Sequence, residues 1–128
     1  MVKWADYKTE AKSRGALALE LYAAQSTPAL GPDAVKASLP DHLAYQARLE
    51  TAGQLAFAGP MSDETGDEMQ GMGLIIYRAD SLDAARKLAE EDPMHKSGAR
   101  TFTLRRWMIN EGSLSLSVGL STKTVSLT

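Results

Sequence analysis

A chain of 128 residues has room for one hydrophobic core and little more. Its 44% hydrophobic and 23% charged residues exclude a disordered tail, and no apolar run approaches the roughly 18 residues that a bilayer span needs. A net charge of −2 argues against general affinity for nucleic acid or anionic membranes, and the absence of cysteine removes disulfides, thiolate metal sites and cysteine nucleophiles.

Residues 1–6 include an acid and lack an apolar h-region, so they do not read as a signal peptide, and the cytoplasm is the expected compartment. Residues 3–13 carry Trp4, Tyr7 and Ala11 at helical spacing, and Gly15 ends that helix. Residues 16–24 alternate, with Leu17, Leu19, Leu21 and Ala23 on one face and Glu20 on the other, which predicts a first strand. The Pro and Gly content of 27–32 marks a loop.

Helical spacing resumes from about Asp33 to Thr51. Pro40 interrupts it, and a fresh helix starting at that proline is the simpler expectation. His42, Tyr45, Leu49 and Ala52 form its stripe, and Gly53 stops it. Residues 54–58 predict a second strand with Leu55 and Phe57 on one side, terminated by Gly59-Pro60.

The acidic stretch 62–70 reads as a polar loop. Residues 71–78, with the run Leu74-Ile75-Ile76-Tyr77, read as a central strand buried on both faces. Ser81 is placed to cap a second helix whose apolar positions are Leu82, Ala85, Leu88 and Ala89. Asp92-Pro93 ends it, because the residue before a proline is pushed out of helical geometry, and one more turn follows as far as Gly98. Residues 99–109 form the last core strand, with Phe102, Leu104 and Met108 interleaved among polar positions. Residues 113–126 alternate apolar and polar, predicting one strand, or two bent at Gly119, that needs an edge to pair with.

The order of elements is a helix, then β-α-β-β-α-β, then a tail. That order predicts an α+β fold: a ferredoxin-like antiparallel sheet of four strands with two helices on one face. Large apolar residues on the other face predict a cover, and a second copy of the chain is the expected one.

Two histidines carry most of the possible chemistry. His42, expected in the first turn of a helix and pointing to the core side, suits proton transfer near neutrality; a satisfied core histidine is the competing reading. Asp92 suits either an N-cap for the turn 93–97 or a carboxylate that orients a histidine. His95 reads as an exposed surface residue. No HxH, HxxxH or HExxH spacing occurs, and no phosphate-binding loop or Gly-x-Ser-x-Gly elbow, so no metal and no cofactor is expected. Arg100, Phe102, Arg105, Arg106 and Trp107 interleave bases and aromatics, but the RNA-recognition signature is missing and an interface or core role fits better.

The segments Leu39-Pro40-Asp41-His42-Leu43-Ala44-Tyr45, Leu55-Ala56-Phe57-Ala58-Gly59-Pro60, 79–86 and Glu91-Asp92-Pro93-Met94 resemble the YciI-like (YCII) family in content and order, across about residues 15–110. The resemblance implies a dimeric α+β barrel, similar in shape to muconolactone isomerases and small cofactor-poor monooxygenases. It also implies a His42–Asp92 active-site pair. With it, the expected reading is acid–base chemistry on a cyclic or aromatic metabolite. His42 and Asp92 would be catalytic, and Tyr45, Gly59, Pro60 and Met94 would bind the substrate. A non-catalytic dimeric ligand-binding or accessory module is the alternative.

Overall fold

The computed structural model describes residues 1–127 as two compact units, one of residues 20–107 and one of 1–19 together with 108–127. The larger unit holds α2 (Pro32–Thr51), β2 (Leu55–Ser62), β3 (Met69–Tyr77), α3 (Leu82–Glu91) and α4 (Pro93–Lys96), with most of β1 (Leu19–Pro28) and β4 (Arg100–Ile109). Its four strands run in the order β2-β3-β1-β4, the α+β arrangement expected of a split βαβ unit. β3 pairs antiparallel with both β1 and β2, so the Leu74–Tyr77 run is central as its two-sided hydrophobicity predicts.

The core lies on the helix side of the sheet. Tyr22 and Ala24 of β1 and Ile75 and Tyr77 of β3 meet Tyr45 and Leu49 of α2 and Ala85 and Ala89 of α3. Alanines at the α3 positions let that helix approach closely, and the Tyr45 hydroxyl donates to the Leu88 carbonyl at 2.7 Å. Ser81 caps α3 as expected, accepting from the Ala84 N–H at 3.0 Å. Gly53, at φ +77°, closes α2 in the left-handed conformation that glycine takes without strain.

Five local expectations are corrected. β1 presents Tyr22, Ala24 and Ser26 to the helices rather than the Leu-rich phase. Leu21 on the opposite phase is equally buried while Leu17 and Leu19 are exposed, so hydrophobicity did not distinguish the faces. α2 runs unbroken through Pro40. The proline leaves the Lys36 carbonyl without its helical donor, and exposure of both residues lets water replace that bond.

β2 continues through Gly59-Pro60, which pair with Leu74 and Gly73; a proline is tolerated there because β2 is an edge strand. A register shift between Leu55 and Phe57 puts Leu55 against the core and leaves Phe57 exposed. Because α2 begins at Pro32, His42 lies well inside the helix and not in a first turn.

The smaller unit contains α1 (Trp4–Ser13) and a two-stranded antiparallel sheet of β5 (Leu116–Val118) and β6 (Val125–Leu127). The alternating tail thus turns back and pairs with itself. Leu116 faces Leu127 and Val118 faces Val125, and all four are exposed. Among the described residues, no helix is long and apolar enough to cross a membrane.

Candidate active site

Asp92 sits where α3 stops and α4 begins. Pro93 forces it into extended geometry, φ −61° and ψ 125°, and its side chain turns back to accept the Met94 N–H at 2.9 Å. The residue is 1% exposed. A carboxylate so deeply buried keeps its charge only if donors face it.

The second donor comes from α2, which packs against α4. His42 Nδ1 lies 2.8 Å from one Asp92 oxygen and 2.9 Å from the other. An ionised carboxylate only accepts, so the hydrogen resides on Nδ1. In the neutral ring Nε2 then carries the lone pair. Nε2 has no protein partner among the described residues, and His42 lines a cavity of about 910 Å³.

The cavity lies between the N-terminal half of α2 and the β2–β3 hairpin. Gly59 and Pro60 of β2 and Met94 of α4 line it with His42, as do the apolar side chains of Leu39 and Leu43. Tyr45 does not. It is buried in the core with its hydroxyl bound to Leu88, and burial is the first cause, ahead of Glu91 and Asp92, that pushes its pKa up to about 12. The placement of Tyr45 at the ligand is therefore corrected: it shares the helical stripe of His42 but lies deeper along it.

A second polar cluster borders the same cavity. His95 is corrected from an exposed surface residue to a half-buried link. Its Nδ1 donates to the Ala89 carbonyl at 2.7 Å, and its Nε2 lies 2.8 Å from Ser26 Oγ. Because Nδ1 holds the hydrogen, a neutral His95 accepts a hydrogen bond from the Ser26 hydroxyl at Nε2. Desolvation lowers the His95 pKa. The Ala89 carbonyl and the Asp92 charge oppose that shift, and the charges of His42 and Arg100 reinforce it.

Ser26 Oγ in turn accepts from Arg100 Nε at 2.8 Å. Arg100 Nη2 donates to the Ser26 carbonyl at 2.7 Å and also to the Gly71 carbonyl. Gly71 is needed at its place: its φ is +89°, and a Cβ there would stand 2.7 Å from Pro28 Cγ.

Sequence reasoning missed this cluster because its members are far apart along the chain and no spacing links them. The one available signal was the odd polar residue, Ser26, at the end of a strand whose inward positions are otherwise apolar. Among the described residues, no three His, Cys, Asp or Glu side chains gather as metal ligands.

A family model described as the YCII-related domain matches residues 16–108, which include His42, Asp92 and nearly all of the four-stranded sheet. The chain belongs to this family. The YCII-related chain is also similar to the uncharacterized protein YjpA of Bacillus subtilis (strain 168), at 31% identity over 70 residues, 55% of this chain and 75% of the relative. Among solved structures it resembles 5-chloro-2-hydroxyhydroquinone dehydrochlorinase (TftG) from Burkholderia phenoliruptrix AC1100, in complex with 2,5-dihydroxybenzoquinone. The TM-score is 0.52 at 23% identity, with 68% of this chain and 92% of that one covered. That likeness shows a shared fold.

Proposed function

We propose that this YCII-related protein is a small-molecule enzyme that moves protons on a cyclic or aromatic metabolite, with His42 as general acid/base and Asp92 as the group that orients it. The observation that carries the reading is the Nδ1–carboxylate hydrogen bond, which leaves Nε2 for a ligand in the adjoining cavity. His42 Nε2 takes a proton from an acidic O–H or C–H beside a carbonyl, and the electron pair left behind delocalises into that carbonyl. The buried Asp92 carboxylate stabilises the imidazolium that forms. The imidazolium then returns the proton at a different atom, which isomerises the substrate, or a leaving group departs with its electron pair, which completes an elimination. Met94, Gly59 and Pro60 provide the apolar contact that positions a ring.

The name of the structural neighbour supports the choice of chemistry, since a dehydrochlorinase of a hydroxyhydroquinone removes hydrogen and chloride from such a ring. The test is chloride release from 5-chloro-2-hydroxyhydroquinone and related chlorinated hydroquinones, compared between the wild-type protein and His42→Gln. Release by the wild-type protein that the variant lacks supports the reading. Equal release by both proteins removes His42 from the chemistry.

We further propose that the chain works as a homodimer. Phe57, 52% exposed, and Trp107, 45% exposed, lie on the sheet face away from the helices by the register of β2 and the alternation of β4. The exposed Leu116, Val118, Val125 and Leu127 give the β5–β6 ribbon an apolar face, and an isolated ribbon is marginal without cover. Light scattering at micromolar concentration is expected to give twice the chain mass. A monomer alone contradicts it.

A further inference from the structure

Arg100 is a half-buried guanidinium with no carboxylate among its hydrogen-bond partners. Its Nε and Nη2 are fully engaged by Ser26 and the Gly71 carbonyl, all uncharged acceptors, and no ion pair links it to an acid among the described residues. Nη1 has no partner among the described residues, which leaves two N–H donors on a side chain that lines the cavity. The rest of the lining reinforces the sign: Lys36 contributes to it, and no Asp or Glu does. Asp92 acts on Arg100 only at a distance, through its charge.

The surrounding bonds also fix the guanidinium in place. The Ser26 hydroxyl and backbone carbonyl hold its Nε and Nη2, His95 accepts the hydrogen bond of that hydroxyl, and Gly71, which tolerates no Cβ, aims a carbonyl at it. A cation held this rigidly loses little freedom when an anion arrives, which is what an anion-binding group requires. The opposite side of the cavity is apolar, with Leu39, Leu43 and Met94.

We infer that the cavity binds a ring bearing an anionic oxygen group, a carboxylate or an ionised phenol, with Arg100 as its anion receptor and Ser26 and His95 as positioning residues that hold Arg100. This deepens the acid–base reading above and rests on the cavity being a ligand site. Ionisation of the substrate would place its charge at Arg100 and its exchangeable proton near His42, so the two groups divide the work of recognition and proton transfer.

Benzoate and benzamide test this, because the two rings share a shape and differ in charge. In calorimetric titrations of the full chain, benzoate is expected to bind at least about tenfold more tightly than benzamide. Arg100→Met is expected to reduce that preference to less than about twofold, with a smaller reduction in Lys36→Met, whose exposed ammonium is better screened. Should Arg100→Met fail to fold, Arg100→Lys, which keeps a charge without the fork, is expected to retain only part of the preference, and the wild-type comparison stands without any variant. Equal affinity for the two rings, no benzoate binding, or an undiminished preference in the arginine variants would overturn the inference.

His42→Gln separates this inference from the catalytic one. It is expected to keep the preference for benzoate while losing proton transfer. If turnover survives that substitution while benzoate is still preferred, the acid–base reading fails and the anion site stands. The reverse pattern, turnover dependent on His42 with no preference for benzoate, removes the anion site alone.

Discussion

His42 lines the cavity, whereas His95 stands behind the lining residue Ser26; both rings carry their proton on Nδ1, yet their partners differ. A buried carboxylate holds His42, and its Nε2 is left to the cavity. A backbone carbonyl holds His95, whose Nε2 is occupied by Ser26. Burial lowers the His95 pKa and favours its neutral form, which the dipole of the Ala89 carbonyl does not offset. The contrast lies in partner and access: His42 leaves a ring nitrogen to the cavity, and His95 does not.

The largest effect should come from breaking the first site. His42→Gln is expected to lower kcat/KM by about 10²–10⁴, the usual contribution of a positioned general base, whereas His95→Gln should lower it by less than about tenfold. Steady-state kinetics on one substrate measures both. Equal losses would erase the distinction.

Next in size is Asp92→Asn, which leaves a neutral amide where a buried charge supports His42 and caps α4. A loss of stability of about 2–3 kcal/mol in urea unfolding is expected, together with at least a tenfold loss of activity. Unchanged stability would mean that the carboxylate is dispensable to the fold.

A smaller, pH-dependent effect belongs to His95. Its pKa in the folded protein lies below the ordinary value of 6.5 because burial disfavours the charged ring. The unfolded chain therefore takes up that proton first as the solution is acidified. The stability due to His95 is fully present above about pH 6.5 and is lost as the pH falls toward its folded pKa. The difference in unfolding free energy between wild type and His95→Gln should narrow over that range. A difference that is flat with pH would contradict the placement of a neutral His95.

The smallest effects test the same rule, that a buried polar atom matters through its partner, on two tyrosines. Tyr45→Phe removes a hydroxyl bound to the Leu88 carbonyl and should cost about 1 kcal/mol. The Tyr77 hydroxyl is buried without a partner among the described residues, so Tyr77→Phe should be neutral or slightly stabilising. Denaturant midpoints of the two variants give the comparison directly.

Much of the fold was legible because local chemistry and global packing agree. Ser81 caps a helix, Pro93 ends it, Gly53 stops α2, and Leu74–Tyr77 form a strand apolar on both faces; each can be read without tertiary knowledge. Pro40 misled because a proline inside a helix is costly only where the freed carbonyl stays dry, and exposure is not written locally. Gly59-Pro60 misled because an edge strand tolerates what a central strand does not, and edge position is a property of the sheet. At the site, His42 and Asp92 were legible through their segments, and the cavity brings Gly59, Pro60 and Met94 to the same place. Ser26, His95 and Arg100 were not legible as a unit: three strand and helix ends must be assembled before they meet.

Carbethoxylation tests the contrast between the two imidazoles most directly, since the reagent requires an unprotonated, accessible ring nitrogen. Diethyl pyrocarbonate treatment of the native protein near neutral pH, followed by peptide mass mapping, is predicted to modify His42 well before His95. Modification of His95 first, or of both residues at one rate, would contradict the account.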